Sequence, residues 1–481
     1  MLAKRIHEPG LWRRLGISIV MGMMIASAAP PVWAYEPPVD KQKVSVSTAG
    51  NDANDYAIDP AVSADGKVYA FRSSADNLVP RDFNSSEDIF VYDATTKLTE
   101  RVSVSSEEEE GYLGSRNPAV SGDGRFIAFE SDVDAFQAAP DGAGGNWPDI
   151  FVRDRITGVT EHVSRRGPEQ AFANFIYPDI SDDGRFVAYI SATGSYLSSI
   201  LDLEVFVYDR LTKETLRIPS SRDRTEGFNP SWHPSISGDG RFIAFTKQVD
   251  DTALDDDNGD ADVFVYDTET AGTEIVSVTS EGILGNGRSV GPSLDYDGTR
   301  VVFSSDATNF VPYDTNGATD VFMRDRATGT LSRLSVDNAG NQRTGDSFLP
   351  HISGNGRFVG YVGQALFDGN QSSGSAKWTQ SILVDIKTLQ TSVIAQRDGG
   401  LGANYAQVVP SNTGRRSALA FVEGSGGLAG GYVKDTIWAV HTGPNLGLGA
   451  AHLGFDGPTA RADGWVRFSG ATLAAAGDPK G

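Results

Sequence analysis

The chain has 481 residues, 39% of them hydrophobic and 22% charged, which excludes a disordered polymer and provides for a large core. A net charge of −22 argues against nucleic-acid and anionic-membrane partners and favours cations or cationic surfaces. With no cysteine, a disulfide framework and a lipoprotein anchor are both excluded.

At the N-terminus, Lys4, Arg5, Arg13 and Arg14 precede an apolar run from Ile17 to Ala29 and the small-residue end Val32 to Ala34. This is the layout of a secretory signal peptide over residues 1–34. The apolar run is shorter than the roughly 20 residues that a membrane-spanning helix needs. Cleavage after Ala34 removes four basic residues and one acidic one and leaves a net charge of −25.

From residue 61 onward one phrase recurs: AVSADGKVYAF, AVSGDGRFIAF, DISDDGRFVAY, SISGDGRFIAF, SLDYDGTRVVF, HISGNGRFVGY and a degraded VPSNTGRRSALAF. Its turn glycine falls at Gly66, Gly124, Gly184, Gly240, Gly298, Gly356 and Gly414, at intervals of 58, 60, 56, 58, 58 and 58 residues. A fixed period of this kind is the signature of a repeat architecture. Each phrase holds a short strand, an Asp-Gly or Asn-Gly turn and a second alternating strand, which is a hairpin signal. A second phrase follows in every repeat: DIFVYD, DIFVRD, EVFVYD, DVFVYD, DVFMRD, SILVDI and TIWAVH, then a tight turn and an outer strand such as TERVSVS. One repeat is therefore four antiparallel strands. Such sheets bury both faces when set radially around an axis.

The expected fold is an all-β, seven-bladed β-propeller of four-stranded antiparallel blades spanning residues 35–441, after a cleaved signal peptide. The last hairpin ends at Ile437 to His441 without an outer strand, whereas Gln42 to Gly50, QKVSVSTAG, matches the outer strand at Arg101 to Glu109. The N-terminal strand is thus expected to complete the seventh blade and close the ring. Residues 442–481 are rich in Gly and Ala. Although the stretch around Gly464 echoes the hairpin phrase, the missing later strands make this segment a tail rather than an eighth blade.

The phrase PAVSGDGRFIAFES at Pro118 to Ser131, followed by DIFVRDRITG at Asp149 to Gly158, resembles the WD40-like or TolB-like propeller repeat of exported bacterial proteins. The likeness covers residues 42–441 and implies a periplasmic or extracellular propeller that binds something. TolB-like proteins themselves carry an α/β domain before a smaller propeller, so a role in the Tol-Pal system does not follow. The motif specifies fold far more than function.

Between the second and third strands, three loops repeat the pattern D-x-N-x-x-x-D: Asp82, Asn84 and Asp88; Asp256, Asn258 and Asp262; Asp314, Asn316 and Asp320. Alternating oxygen side chains on a tight loop suit Ca²⁺, with affinity on the order of 10⁻⁴ to 10⁻³ M as in extracellular modules. The competing reading is that they form Asx-turns and orient the following strand. In blade two Asp141 and Asp149 are separated by a Gly-rich insertion. The run Glu107 to Glu110 reads either as a solvated loop or as a cation-attracting one.

Catalytic signals are sparse. After signal removal the histidines are His162, His233, His351, His441 and His452, none in a metal-ligand spacing or beside a nucleophile elbow. His351 and Asp179 stand on inner strands where other blades have Ala61 and Ala119, so they mark either a channel pocket or a tolerated substitution. Arg125, Arg185, Arg241 and Arg357 follow the turn glycines and form either a cationic rim or repeated pairs with the last Asp of the DIFVYD phrase.

These features lead to an exported, non-enzymatic, monomeric binding scaffold for a protein, glycan or envelope component, with calcium stiffening its loops and no catalytic residues assigned. The alternatives are a calcium-dependent propeller hydrolase or lyase acting at the channel mouth, and a surface adhesion component.

Overall fold

The computed structural model describes residues 40–132, 147–164, 173–193, 202–218, 234–248, 259–366, 377–397, 409, 421–423 and 436–441. The expected signal peptide at 1–34, the tail at 442–481, and the residues Asp141, His233, Asp256, Asn258, Gly414 and His452 lie outside them. Among the described residues no helix is long and apolar enough to cross a membrane.

The chain enters as β1 (Asp40–Lys43) and then builds blades. Blade one is β2 (Ala57–Val62), β3 (Val68–Ser73), β4 (Asp88–Asp93) and β5 (Leu98–Arg101). Blade two is β6 (Ser115–Val120), β7 (Phe126–Ser131), β8 (Asp149–Asp154) and β9 (Val159–His162). Blade three is β10 (Asn174–Ile180), β11 (Phe186–Thr193), β12 (Asp202–Asp209) and β13 (Glu214–Arg217). Blade four is β14 (Ser235–Ile236), β15 (Phe242–Gln248), β16 (Ala261–Asp267) and β17 (Gly272–Ile275). Blade five is β18 (Ser289–Leu294), β19 (Arg300–Ser305), β20 (Asp320–Asp325) and β21 (Thr330–Arg333). Blade six is β22 (Ser347–Ile352), β23 (Phe358–Leu366), β24 (Lys377–Asp385) and β25 (Gln390–Arg397).

Among the described residues the expectation of seven four-stranded blades is corrected to six. The remaining sheet has three strands among the described residues, β26 (Phe421–Glu423), β27 (Thr436–His441) and β1, in the order β1-β27-β26. The degraded phrase VPSNTGRRSALAF, expected to supply its innermost strand, has lost the Asp-Gly turn that nucleates the other hairpins. Apart from Val409 and the final Phe421 it lies outside the described residues. The N-terminal strand pairs antiparallel with β27, Asp40 opposite His441 and Lys43 opposite Trp438. This three-stranded sheet touches β25 on one side and β2 on the other, between the sixth blade and the first.

Glycine at the hairpin turn is dictated twice over. Gly124 has φ +73°, and a Cβ there would lie 2.5 Å from a Val68 methyl of the preceding blade. The turn is also fastened by Ser121, whose hydroxyl donates to Asp123 and accepts the Phe126 N–H at 2.9 Å. Successive turns then bond to one another. Ala64 N donates to Gly122 O, Gly122 N to Asp182 O, Asp182 N to Gly238 O, Asp239 N to Tyr296 O, and Tyr296 N to Gly354 O, at 2.8–3.0 Å.

The core lies between neighbouring sheets. Val68, Ala70, Ile89 and Val91 of blade one pack on Ile127, Phe129 and Phe151 of blade two, and the same layering recurs between the later blades. Each fully buried phenylalanine contributes roughly 1.5–3 kcal/mol. Because the strands alternate direction, one face of the ring carries the hairpin turns. The other carries the long loops between second and third strands and the crossings to the next blade.

Candidate binding face

Two of the three D-x-N-x-x-x-D loops are described in full, and both hold an arginine. In blade one, Arg101 reaches Asp82 and Asp88 at 3.2 Å and Glu110 at 2.8 Å. In blade five, Arg333 reaches Asp314 and Asp320 at 3.3 Å, and donates to Gln342 at 2.9 Å. Each asparagine forms the anticipated Asx-turn. Asn84 Oδ1 accepts Ser86 N–H at 2.9 Å and Asn316 Oδ1 accepts Ala318 N–H at 3.1 Å. The same asparagines donate to Asp88 and Asp320 and to the carbonyls of Gly111 and Arg343. Ser103 and Ser335 donate to the buried Asp88 and Asp320. Burial pushes Asp82 up to about 6, helped by the neighbouring Asp88 and opposed by Arg101. Burial likewise raises Asp88, Asp314 and Asp320.

The arginine comes from a fixed register position of the outer strand. The residues opposite Phe90, Phe151, Phe206, Phe264 and Phe322 are Arg101, His162, Arg217, Ile275 and Arg333. His162 Nε2 stands 3.6 Å from Asp149, and Arg217 pairs with Glu204. In blade four Ile275 stands at that position, and Ser277 donates to Asp262 at 2.5 Å. Among the described residues no group of three or more His, Asp or Glu side chains is arranged to hold a metal ion.

A second cluster lies nearer the axis, on blades one and two. Arg72 Nε sits 2.7 Å from Asp59, and its Nη1 donates to both oxygens of Glu87 at 2.9 Å. Tyr56 donates to the same Glu87. In blade two, Arg116 pairs with Glu130 and, at 2.7 Å, with Asp132. Glu130 also accepts Asn117 Nδ2 at 3.0 Å and Tyr177 N–H at 3.1 Å. Burial raises the carboxyls of Asp59, Glu130 and Asp132 and the Tyr56 hydroxyl. At the register position of Arg72 and Glu130 the later blades place Ile190, Thr246, Ser304 and Val362. Among the described residues, charged side chains at this register position are thus confined to blades one and two, at residues that read from sequence as ordinary strand ends.

The rim arginines are structural. Arg125, Arg185, Arg241 and Arg357 each grip one aspartate with two nitrogens, Asp154, Asp209, Asp267 and Asp385, at 2.6–3.1 Å. Hydrogen bonding from Arg185 holds Asp209 down to about 2, and Arg125 and Arg241 hold Asp154 and Asp267 lower still. Asp179 is a tether between blades: its carboxylate accepts Ile236 N–H at 2.9 Å, the place where Ser235 and Ser293 accept Leu294 and Ile352 N–H. Desolvation pushes Asp179 up to about 6. His351 stands on β22 opposite Gly360.

No protein-family model matches the chain, and no curated protein matches it. Solved structures with a similar course include the putative TolB from Agrobacterium tumefaciens, at 15% identity over 67% of this chain and 93% of that one, TM-score 0.38. The Pyrococcus horikoshii acylaminoacyl peptidase is 12% identical over 80% of this chain, TM-score 0.48, and this chain spans half of that enzyme's length. The RRP9 WD40 repeats are 8% identical over 85% of this chain and 99% of that one, TM-score 0.45. TolB-like and WD40 β-propellers thus stand among the structures this chain is similar to.

Proposed function

We propose that the chain is an exported, non-enzymatic scaffold that binds a protein, glycan or envelope component through the loop-bearing face of blades one and two. The observation that carries this reading is the concentration of charged side chains around Arg72 and Glu130, where the other blades place apolar or hydroxyl side chains. Every carboxylate named in that cluster contacts an arginine. Fixed, paired charges suit recognition more than proton transfer. The test is capture from an envelope extract by the immobilised full chain and by an Arg72→Ser, Glu130→Ser variant of unchanged melting temperature. A partner retained by the parent and lost by the variant is expected; identical captured sets would sink the proposal.

Calcium binding by the inter-strand loops belongs to the same proposal, and blade four is its first candidate. There Asp256 and Asn258 precede Asp262 in sequence, and the outer strand supplies Ile275 in place of an arginine. A bound cation would stabilise the native state by mass action. Millimolar calcium is expected to raise the melting temperature above that in chelator. Asp262→Asn should reduce the rise more than Asp314→Ala with Asp320→Ala does, and no rise in the parent leaves Asx-turns as the whole role of these loops.

A further inference from the structure

A groove of about 950 Å³ runs along the outer edge of blade one against blade two, and no residue of the Arg72 and Glu130 cluster lines it. Three of its lining side chains, Phe83, Tyr112 and Ile156, are 77%, 83% and 75% exposed. Large apolar groups so exposed in one place mark an interaction site. Glu108 and Glu109 line its rim, with the exposed Glu107 alongside. Of the guanidinium groups that line it, Arg101 is matched by three carboxylates, Arg153 by Glu108 and Arg155 by Glu100 at 2.5 Å, while Arg81 is exposed.

The same backbone occurs again between blades five and six, which tells scaffold from addition. The turn closed by the Val104–Glu110 bridge corresponds to the one closed by Val336–Gln342. Glu107, Glu108, Glu109 and Glu110 there become Ala339, Gly340, Asn341 and Gln342. Phe83, Tyr112 and Ile156 become Thr315, Thr344 and Lys387, with Tyr313 the exposed aromatic on that side. Glu108 also holds φ +63° where Gly50, Gly282 and Gly340 occupy the equivalent position. A glutamate kept in a backbone region that favours glycine is strain of the kind that accompanies function.

We infer that this groove is a docking surface for an extended, basic segment of a partner polypeptide. Its lysine or arginine side chains would meet Glu107 and Glu109 and the ring faces of Tyr112 and Phe83, and its apolar side chains would lie against Ile156. The test is fluorescence anisotropy of the full chain with a labelled ten-residue peptide alternating lysine and valine. The lysine peptide is expected to bind at least tenfold more tightly than its glutamate counterpart, and to weaken as salt is raised. Replacing the groove by its counterpart residues, Phe83→Thr with Tyr112→Thr and Glu109→Asn, should weaken binding at least tenfold. Glu107→Ala with Glu109→Asn, both exposed, should weaken it several-fold at unchanged melting temperature. Absence of binding, equal binding by the variants, or equal binding of the glutamate peptide overturns the inference. So does a parent dimer that Phe83→Thr with Tyr112→Thr dissociates, because the occupant is then a second copy.

Discussion

Blades one and five carry the same loop in the same bonds, atom for atom, from the Asx-turn through the paired aspartates to the arginine that reaches in from the outer strand. They differ in what closes the loop: Glu110 accepts Phe83 N–H in blade one, and Gln342 accepts Thr315 N–H in blade five. One arginine therefore faces three carboxylates in the first loop and two in the second. The backbone plan is repeated, while blade one adds Glu107 to Glu110 and the exposed Phe83 and Tyr112 where the blade-five loop has uncharged residues and the exposed Tyr313.

The sharpest way to break this comparison is to remove the arginines. Arg101 and Arg333 are nearly buried, and deleting one partner of a buried pair costs about 3–5 kcal/mol because the remaining charges are left uncompensated. Arg101→Ala is expected to reach that range in urea unfolding, and Arg333→Ala to cost less, since Gln342 adds no charge. Equal losses would mean that the third carboxylate does not distinguish the two loops.

Titration gives a smaller effect. Asp82 is held at about 6, above its value in an unfolded chain, so the native state binds this proton more tightly than the unfolded state does. The stabilisation is complete below about pH 4 and is lost as pH rises through 6. Asp82→Asn is therefore expected to flatten the stability profile between pH 4 and 6. It should also raise stability at pH 7, where the native state must hold this carboxylate ionised against its raised pKa. Thermal melts across that range check it, with Asp314→Asn as the reference; a profile unchanged by Asp82→Asn would place the titration elsewhere.

Much of this architecture was legible in the sequence because its determinants are local. The Asp-Gly turns, alternating strands and constant period need only neighbouring residues, and the match of QKVSVSTAG to an outer strand anticipated the pairing of β1 with β27. The seventh sheet has three strands among the described residues, and VPSNTGRRSALAF, which keeps the period and loses the Asp-Gly turn, lies almost wholly outside them. The loops were read as aspartates without their cation because Arg101 lies 13 residues beyond Asp88, on another strand. Aligning the outer strands would have exposed it, since arginine accompanies the pattern in blades one and five and isoleucine stands in blade four. The Arg72 and Glu130 cluster stayed hidden inside apolar phrases, AFRSS and AFESD, whose charged residues find their partners on other strands and loops of the same blade, Arg72 at Asp59 and Glu87 and Glu130 at Arg116.

The finest distinction rests on one backbone angle. Glu108 bears the cost of a left-handed conformation, roughly 1–2 kcal/mol for a residue with a Cβ, and recovers part of it by pairing with the buried Arg153. Glu108→Gly removes the strain and the ion pair together, so stability should change by less than about 1 kcal/mol. The reverse change, Gly340→Glu, adds the strain where the next blade offers Val384 in place of an arginine, and should cost about 1–2 kcal/mol. Should Glu108→Gly stabilise the protein by the full strain energy, the pair with Arg153 contributes nothing to folding. The glutamate would then be kept at that position at a net cost, which is what a residue serving a partner rather than the fold would show.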